Sequence, residues 1–187
     1  MKDDATGRRV VEFERGHGKK AAPGALLDSG FVCRELLILI SLVLADEKVV
    51  GLHDRVRSLW SEHLEAEVLH RLASSASILR ARDDFLLDQF EQRGDYEGYG
   101  EKLRGARCGE LQPDIESPKT ELLTLREACN KIMHATEIHF DVEGQDPATS
   151  FINPIIYLYG TNRGKKWRAV LDLVNYVEIG TRYSDLV

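Results

Sequence analysis

The longest apolar run of this chain, residues 36–45, lies between the acidic residues Glu35 and Asp46. A helix needs about 20 apolar residues to cross a bilayer, so this shorter run predicts a buried helix and no membrane-spanning segment. Apolar residues occur nearly all round that helix, which indicates a central position in the core. Asp28 or Ser29 can cap its first turn.

The chain has 187 residues, a length that predicts one domain with its own hydrophobic core. Residues 1–28 are rich in charge and glycine and predict a mobile N-terminal arm ahead of a single domain at 29–187. No apolar stretch precedes Gly30, so we expect no signal peptide. The net charge of −6 argues against non-specific coating of nucleic acid, but it allows a local basic site.

The three cysteines, Cys33, Cys108 and Cys129, are odd in number and widely spaced. Their spacing predicts neither a disulfide framework nor a zinc site, so we expect no metal and no other cofactor. It favours a reducing compartment, the cytoplasm. Cys129 is interpreted as a packed thiol, because an active thiolate needs partial exposure and a nearby cation.

Periodic apolar residues predict two further helices after the first. The earlier one carries a stripe at three- and four-residue steps, formed by Leu52, Val56, Leu59, His63, Ala66 and His70. We interpret its two histidines as core or interface residues, because metal ligation favours a four-residue spacing. The serines of residues 74–77 are expected to weaken or break this helix, and the next runs from Ile78 to about residue 92. Residues 93–118 are expected to form a long loop.

The C-terminal third combines one long helix with a hairpin. A helix is predicted from Lys119 to Phe140, with Ser117 and Pro118 at its start. The segments that follow are a strand at 154–159, a turn at 161–164, a returning strand at 167–173 and a short helix from about 174 to 183. The sequence therefore predicts a mainly α fold, a helical bundle with a C-terminal β-hairpin at 151–173 and a short final helix.

The predicted helix at 119–140 carries the side chains best suited to catalysis or ligand binding. Arg126, Asn130 and His134 follow one another along its edge, and Glu137 lies close to them. A histidine can exchange a proton near neutral pH, an arginine can hold a phosphate by two hydrogen bonds, and an asparagine can orient either group. These residues are candidates for metal-free cleavage of RNA; the alternative is a solvated helix face.

The segment from Leu125 to Ala135, LREACNKIMHA, resembles the signature helix of the HEPN superfamily (higher eukaryotes and prokaryotes nucleotide-binding). This resemblance implies a helical, commonly dimeric domain and, in many members, a metal-independent ribonuclease of toxin or phage-defence systems. The family motif is an Arg, four to six residues, then a His, and Asn130 and His134 fit that register. Cys129 occupies the usual Arg position, and Arg126 is the candidate that replaces it.

A basic cluster on the predicted hairpin provides a second candidate surface, formed by Arg163, Lys165, Lys166, Trp167 and Arg168. Such residues can grip a nucleic-acid backbone and stack a base. The alternative is a charged hairpin turn whose tryptophan packs on the bundle. Lys131 is a further candidate cation that points toward solvent.

Two functions of different classes follow from these features. The first is an RNA-binding or metal-independent RNA-cleaving protein of a bacterial defence or toxin–antitoxin system, with RNA as ligand and a homodimer as the expected assembly. The second is a catalytically silent interaction or regulatory subunit that binds a cognate protein, and it is favoured by Cys129 and the acidic net charge. A purely structural helical protein is the third possibility.

Overall fold

The computed structural model describes residues 2–3, 9–12, 29–93, 105–144, 146 and 149–184. These residues form an α+β fold in which helices pack on one face of a seven-stranded antiparallel sheet. The helices are α1 (Ser29–Val49), α2 (Asp54–Arg93), α3 (Leu125–His134) and α4 (Leu173–Ser184). The strands are β1 (Lys2–Asp3), β2 (Arg9–Glu12), β3 (Arg107–Gln112), β4 (Glu121–Thr124), β5 (Glu137–Glu143), β6 (Phe151–Asn162) and β7 (Lys165–Asp172).

The sheet is built around the β6–β7 hairpin, which the sequence predicts. The strand order is β1-β2-β5-β6-β7-β3-β4. The hairpin closes at Arg163 and Gly164, whose φ angles of 49° and 81° are the positive values that a tight two-residue turn requires. Ile156, Leu158 and Ala169 point to the helices and are fully buried, whereas the residues between them are only partly buried. This alternation places the core between the sheet and the helices.

The prediction of a mainly α bundle is wrong, and residues 119–144 show why. The single helix expected there is three elements, β4, α3 and β5. Thr124 starts α3 by accepting a hydrogen bond from the backbone N of Glu127 at 3.4 Å, and Ala135 ends it in an extended conformation. The apolar residues of β5 alternate, and this strand pairs with β6 on one side and β2 on the other. Strand pairing over a long sequence separation therefore overrides the local helical spacing.

Helix α2 is continuous through the serines that were expected to break it. Ser75 is fully buried, and its hydroxyl donates to the carbonyl of Leu72 at 3.0 Å and lies 3.2 Å from the Tyr176 hydroxyl. The polar atom of Ser75 is satisfied within its own helix and by Tyr176 of α4, so the helix continues. The two helices predicted between residues 52 and 92 are thus one helix, Asp54–Arg93.

The loop expected at 93–118 contains β3, which joins the sheet beside β7. Cys108 and Leu111 of this strand are buried. Residues 94–104 of the same segment lie outside the described residues, and so do most residues of the N-terminal arm predicted at 1–28. The described parts of that arm are β1 and β2, which extend the sheet beyond β5.

Two buried carboxylates tie α1 to its neighbours. Asp46 accepts hydrogen bonds from Trp60 Nε1 at 2.8 Å and from the backbone N of Ile152 at 2.7 Å, which fixes α1 against α2 and β6. Glu35 accepts two hydrogen bonds from Arg71 Nη1, each 2.9 Å long.

One side of α1, with Leu36, Leu39 and Val43, is in the core. Leu37 and Leu44 on another side are 64% and 55% exposed, so the expected burial all round the helix is wrong. None of the helices in the described ranges is long and apolar enough to cross a membrane.

Candidate functional site

A polar cleft of about 480 Å³ opens where α2, the C-terminal end of α3 and the β6–β7 hairpin meet. Its walls carry Arg80, Glu127, Asn130, Lys131, His134 and Trp167, together with Thr161 and Asn162 near the hairpin tip. Four residues selected from the sequence, Asn130, Lys131, His134 and Trp167, therefore surround a single cavity. We refer to this cavity as the α3 cleft.

His134 and Lys131 form the side of the cleft that belongs to the last turn of α3. His134 is exposed, whereas Lys131 lies over the indole of Trp167 with its Nζ 4.6 Å from the ring centroid. The same Nζ is 3.8 Å from Glu127 Oε2, a loose ion pair. Trp167 is 2% exposed and its ring is covered by this lysine, so it forms a wall of the cleft and offers no face for base stacking.

Gly160 of β6 allows α3 to end close to the hairpin. A Cβ atom at this position would lie 2.7 Å from Trp167 Cε2 and 3.0 Å from the carbonyl oxygen of His134. Any larger residue would therefore push the tryptophan or the end of α3 away.

Arg80 is the cation of the cleft that sequence reasoning missed. Its guanidinium donates a hydrogen bond from Nη1 to Oδ1 of Asn130, and its Nε is 3.2 Å from Asp84 Oδ2. Asn130 in turn donates from Nδ2 to Glu127 Oε1 at 3.4 Å. Arg80 lies 50 positions before Asn130 in the chain, and no local motif marks it.

Arg126 does not take the role predicted for it beside His134. Its guanidinium forms ion pairs with Asp83 and with Asp84, the latter at 2.8 Å between Nη2 and Oδ1, and it is absent from the cleft walls. Asp83 also accepts a hydrogen bond from the Tyr183 hydroxyl at 3.0 Å. Partial burial, followed by the nearby charge of Arg80, lowers the pKa of Arg126. Arg126 therefore joins α3 to α2 as part of a structural network.

The charges around this network are balanced. Arg80, Arg126 and Lys131 alternate with three carboxylates, those of Asp83, Asp84 and Glu127. The excess positive charge lies instead at the adjoining hairpin tip, where Arg163 and Lys166 are exposed. An anion would therefore approach the α3 cleft from the side of the hairpin.

The structure places the residues of the basic cluster predicted on the hairpin in different locations. Lys165 at the tip pairs with Asp114 at 3.0 Å, and this hydrogen bond, followed by one from the backbone N of Glu116, lowers the pKa of Asp114. Arg168 lies on the sheet face opposite Trp167, because successive side chains of a strand point to opposite faces. By the same alternation Lys166 also points away from Trp167, so only Arg163 in the turn and Lys165 adjoin the mouth of the cleft.

Cys129 faces the core. Its Sγ lies 4.0 Å from the hydroxyl of Tyr176, and burial raises the pKa of this thiol to about 12. Burial likewise raises the pKa of Cys108 to about 12. Thiols held protonated in this way are poor nucleophiles, which agrees with the structural role predicted for Cys129.

The apolar stripe that begins at Leu52, just before α2, and continues along that helix is on the outer surface. Leu52, Val56 and Leu59 are 51%, 48% and 52% exposed, and the two histidines of the stripe are also exposed. Among the described residues, no group of three His, Cys, Asp or Glu side chains is arranged to hold a metal ion.

Comparison of this chain with protein-family models, with curated proteins and with solved structures gives no match.

Proposed function

We propose that this protein binds single-stranded RNA through the α3 cleft and the adjoining hairpin tip. The observation that carries the proposal is the convergence of Arg80, Asn130, Lys131 and His134 on one open cavity. Cationic and amide donors on a shared wall are suited to a phosphate group and the sugar beside it. The defence or toxin–antitoxin setting implied by the HEPN resemblance, and the cytoplasmic location, remain predictions.

The cleft and the hairpin tip have complementary roles in this proposal. A volume of about 480 Å³ is in the range of small-ligand pockets and has room for one nucleotide. Lys131 can turn from Glu127 to a phosphate, because its present ion pair is long, at 3.8 Å. Arg163 in the hairpin turn then attracts the next phosphate along the strand, so that affinity depends on the backbone more than on the bases.

The proposal is for binding without cleavage. In the cleavage predicted from the sequence, Arg126 stabilises transition-state charge beside His134, but Asp83 and Asp84 hold Arg126 away from the cleft. The helical bundle implied by the same resemblance is not the fold of this chain. We therefore expect RNA to remain intact in the presence of EDTA.

The test is fluorescence anisotropy with a labelled single-stranded RNA in EDTA, over a series of salt concentrations. We expect Lys131→Gln to weaken binding about threefold to tenfold and to reduce the salt slope by about one. His134→Gln should also weaken binding, whereas Lys48→Gln, an exposed lysine at the end of α1, should have no effect. No binding by the natural chain, or equal binding by all variants, would contradict the proposal.

Gel analysis of the same mixtures separates binding from cleavage. Intact RNA supports the proposal as stated. Shortened RNA that disappears with His134→Gln would overturn its non-catalytic part and favour a metal-independent ribonuclease.

A protein partner is the second candidate, and the exposed stripe of α2 is the observation that favours it. The sequence predicts either a homodimer or a cognate partner protein. Leucine and valine side chains at regular helical spacing on a surface commonly mark a site of protein association. The stripe and the α3 cleft have no lining residue in common, so both interactions are compatible.

A further inference from the structure

The first half of α2 carries two apolar stripes. One stripe, which includes Leu64, Val68 and Leu72, is buried against the core. The other consists of Val56, Leu59, His63, Ala66 and His70, and Leu52 precedes it two residues before the helix begins at Asp54; all of these residues are exposed. Its alternating steps of four and three residues are the spacing with which one helix packs along another. A helix with this pattern on its outer side can pack against a second helix.

A shallow apolar groove of about 380 Å³ lies beside the exposed stripe. Its walls include Leu42, Val56, Leu59, Trp60 and Leu64, and its only charged residue is Glu67. The groove can receive a side chain of leucine size from a helix laid along α2.

We propose that the occupant is a second copy of this chain, with the exposed stripe of α2 packed antiparallel against its own copy. This inference develops the second candidate function and does not depend on RNA binding. The two-fold axis passes between Val56 and Leu59, so that Val56 of each copy faces Leu59 of the other. Each Leu59 then enters the groove of the opposite copy. The paired helical segment, residues 54–61, is about 12 Å long.

The charges beside the stripe favour this partner and this direction. Arg55 and Glu62 flank the stripe on the same side and are both exposed. In the antiparallel arrangement Arg55 of each copy lies near Glu62 of the other, which gives two attractive pairs. In a parallel arrangement Glu62 would instead lie near Glu67 of the other copy, and like charges would repel. The segment is therefore complementary to itself when the two copies run in opposite directions.

The first test is the mass of the purified full chain in solution, measured by sedimentation at about 1 to 100 µM, the range in which a micromolar dimer dissociates. We expect a species of twice the 21.1 kDa monomer. Leu59→Glu should give a folded monomer, because the residue is 52% exposed within one copy. Val174→Glu is the matched control, since Val174 is 44% exposed on α4, and it should remain dimeric.

The second test is charge reversal at the flanking pair. Arg55→Glu and Glu62→Arg should each weaken association roughly fivefold to tenfold, and the double variant should restore it. A parallel dimer would instead be strengthened by Glu62→Arg. The proposal is overturned if the natural chain stays monomeric at about 100 µM, if Leu59→Glu stays dimeric, or if Glu62→Arg strengthens association. None of these results bears on RNA binding, which is measured separately.

Discussion

The two halves of helix α2 have different environments within one continuous helix. The C-terminal half, from Ser75 onward, is fixed by side-chain hydrogen bonds, including Arg82 Nη2 to the carbonyl of Ser184 at 2.8 Å and Asp83 with Tyr183 at 3.0 Å. The N-terminal half, residues 54–70, is buried along one side and leaves a second apolar stripe in solvent. The difference shows that one long helix contributes to the core along its length, lines the α3 cleft at one end and leaves an apolar stripe exposed at the other.

The largest expected effect comes from truncating one leucine in each environment. Leu79 of the C-terminal half is 1% exposed, so Leu79→Ala should lower the free energy of unfolding by about 2 to 5 kcal/mol, through lost burial and a residual cavity. Leu59→Ala should lower it by less than about 0.5 kcal/mol. Urea unfolding at a concentration where the chain is monomeric provides both values. Equal losses would show that the two halves do not differ as described.

The network of the C-terminal half should be almost as sensitive. Asp83 is buried and accepts hydrogen bonds from Arg126 and Tyr183, so Asp83→Ala leaves both donors without this acceptor. We expect a loss of about 2 to 4 kcal/mol in the free energy of unfolding. Asp88→Ala, at an exposed position of the same helix, is the control and should change stability by less than about 0.5 kcal/mol. A small effect at Asp83 would contradict the importance of this network.

The reactivity of the buried thiols measures how well the core beside the C-terminal half of α2 is shielded from solvent. Burial raises the pKa of Cys129 and of Cys108 to about 12, so both should react with a disulfide reagent at pH 8 far more slowly than half-buried Cys33. Because the folded pKa values lie above the unfolded one, their contribution to stability is complete below about pH 8.5 and is lost as the pH rises toward 12. The free energy of unfolding, measured at pH 8 and at pH 10.5, checks this predicted loss of stability. A larger free energy of unfolding at pH 10.5 would refute it.

The smallest expected effects come from two arginines of α2, one in the α3 cleft and one beside the exposed stripe. Arg80→Gln removes a cation of the α3 cleft and should weaken RNA binding about twofold to fivefold. Arg55→Gln, in the N-terminal half, should leave RNA binding unchanged but weaken self-association. Anisotropy and sedimentation measure the two properties. The comparison fails if both variants affect RNA binding equally.

Segments with strong local signals were predicted correctly. The apolar run of α1, the Asn162–Arg163–Gly164 turn and the final helix all depend on contacts between near neighbours in sequence. The sheet depends on distant partners: β5 follows a helix whose pattern it appeared to continue, and β3 lies in a stretch rich in glycine and proline. Local spacing does not encode those pairings, so the fold class was missed.

The candidate site was predicted in part for a related reason. Asn130 and His134 are one turn apart on α3, and helical spacing is enough to place them together. Arg80 reaches the same cleft from α2, and Arg126 is withdrawn by Asp83 and Asp84 of that helix. Both outcomes depend on how α2 crosses α3, a tertiary arrangement that a single motif does not specify.

Photo-crosslinking locates bound RNA most directly. A single-stranded RNA containing 4-thiouridine is bound to the full chain, irradiated, digested and mapped by mass spectrometry. The account predicts crosslinks in the peptides around residues 127–134 and 160–167, and their loss in Lys131→Gln with His134→Gln. Crosslinks confined to the stripe at residues 52–70 or to the sheet face that carries Arg168, or no crosslinks at all, would contradict it.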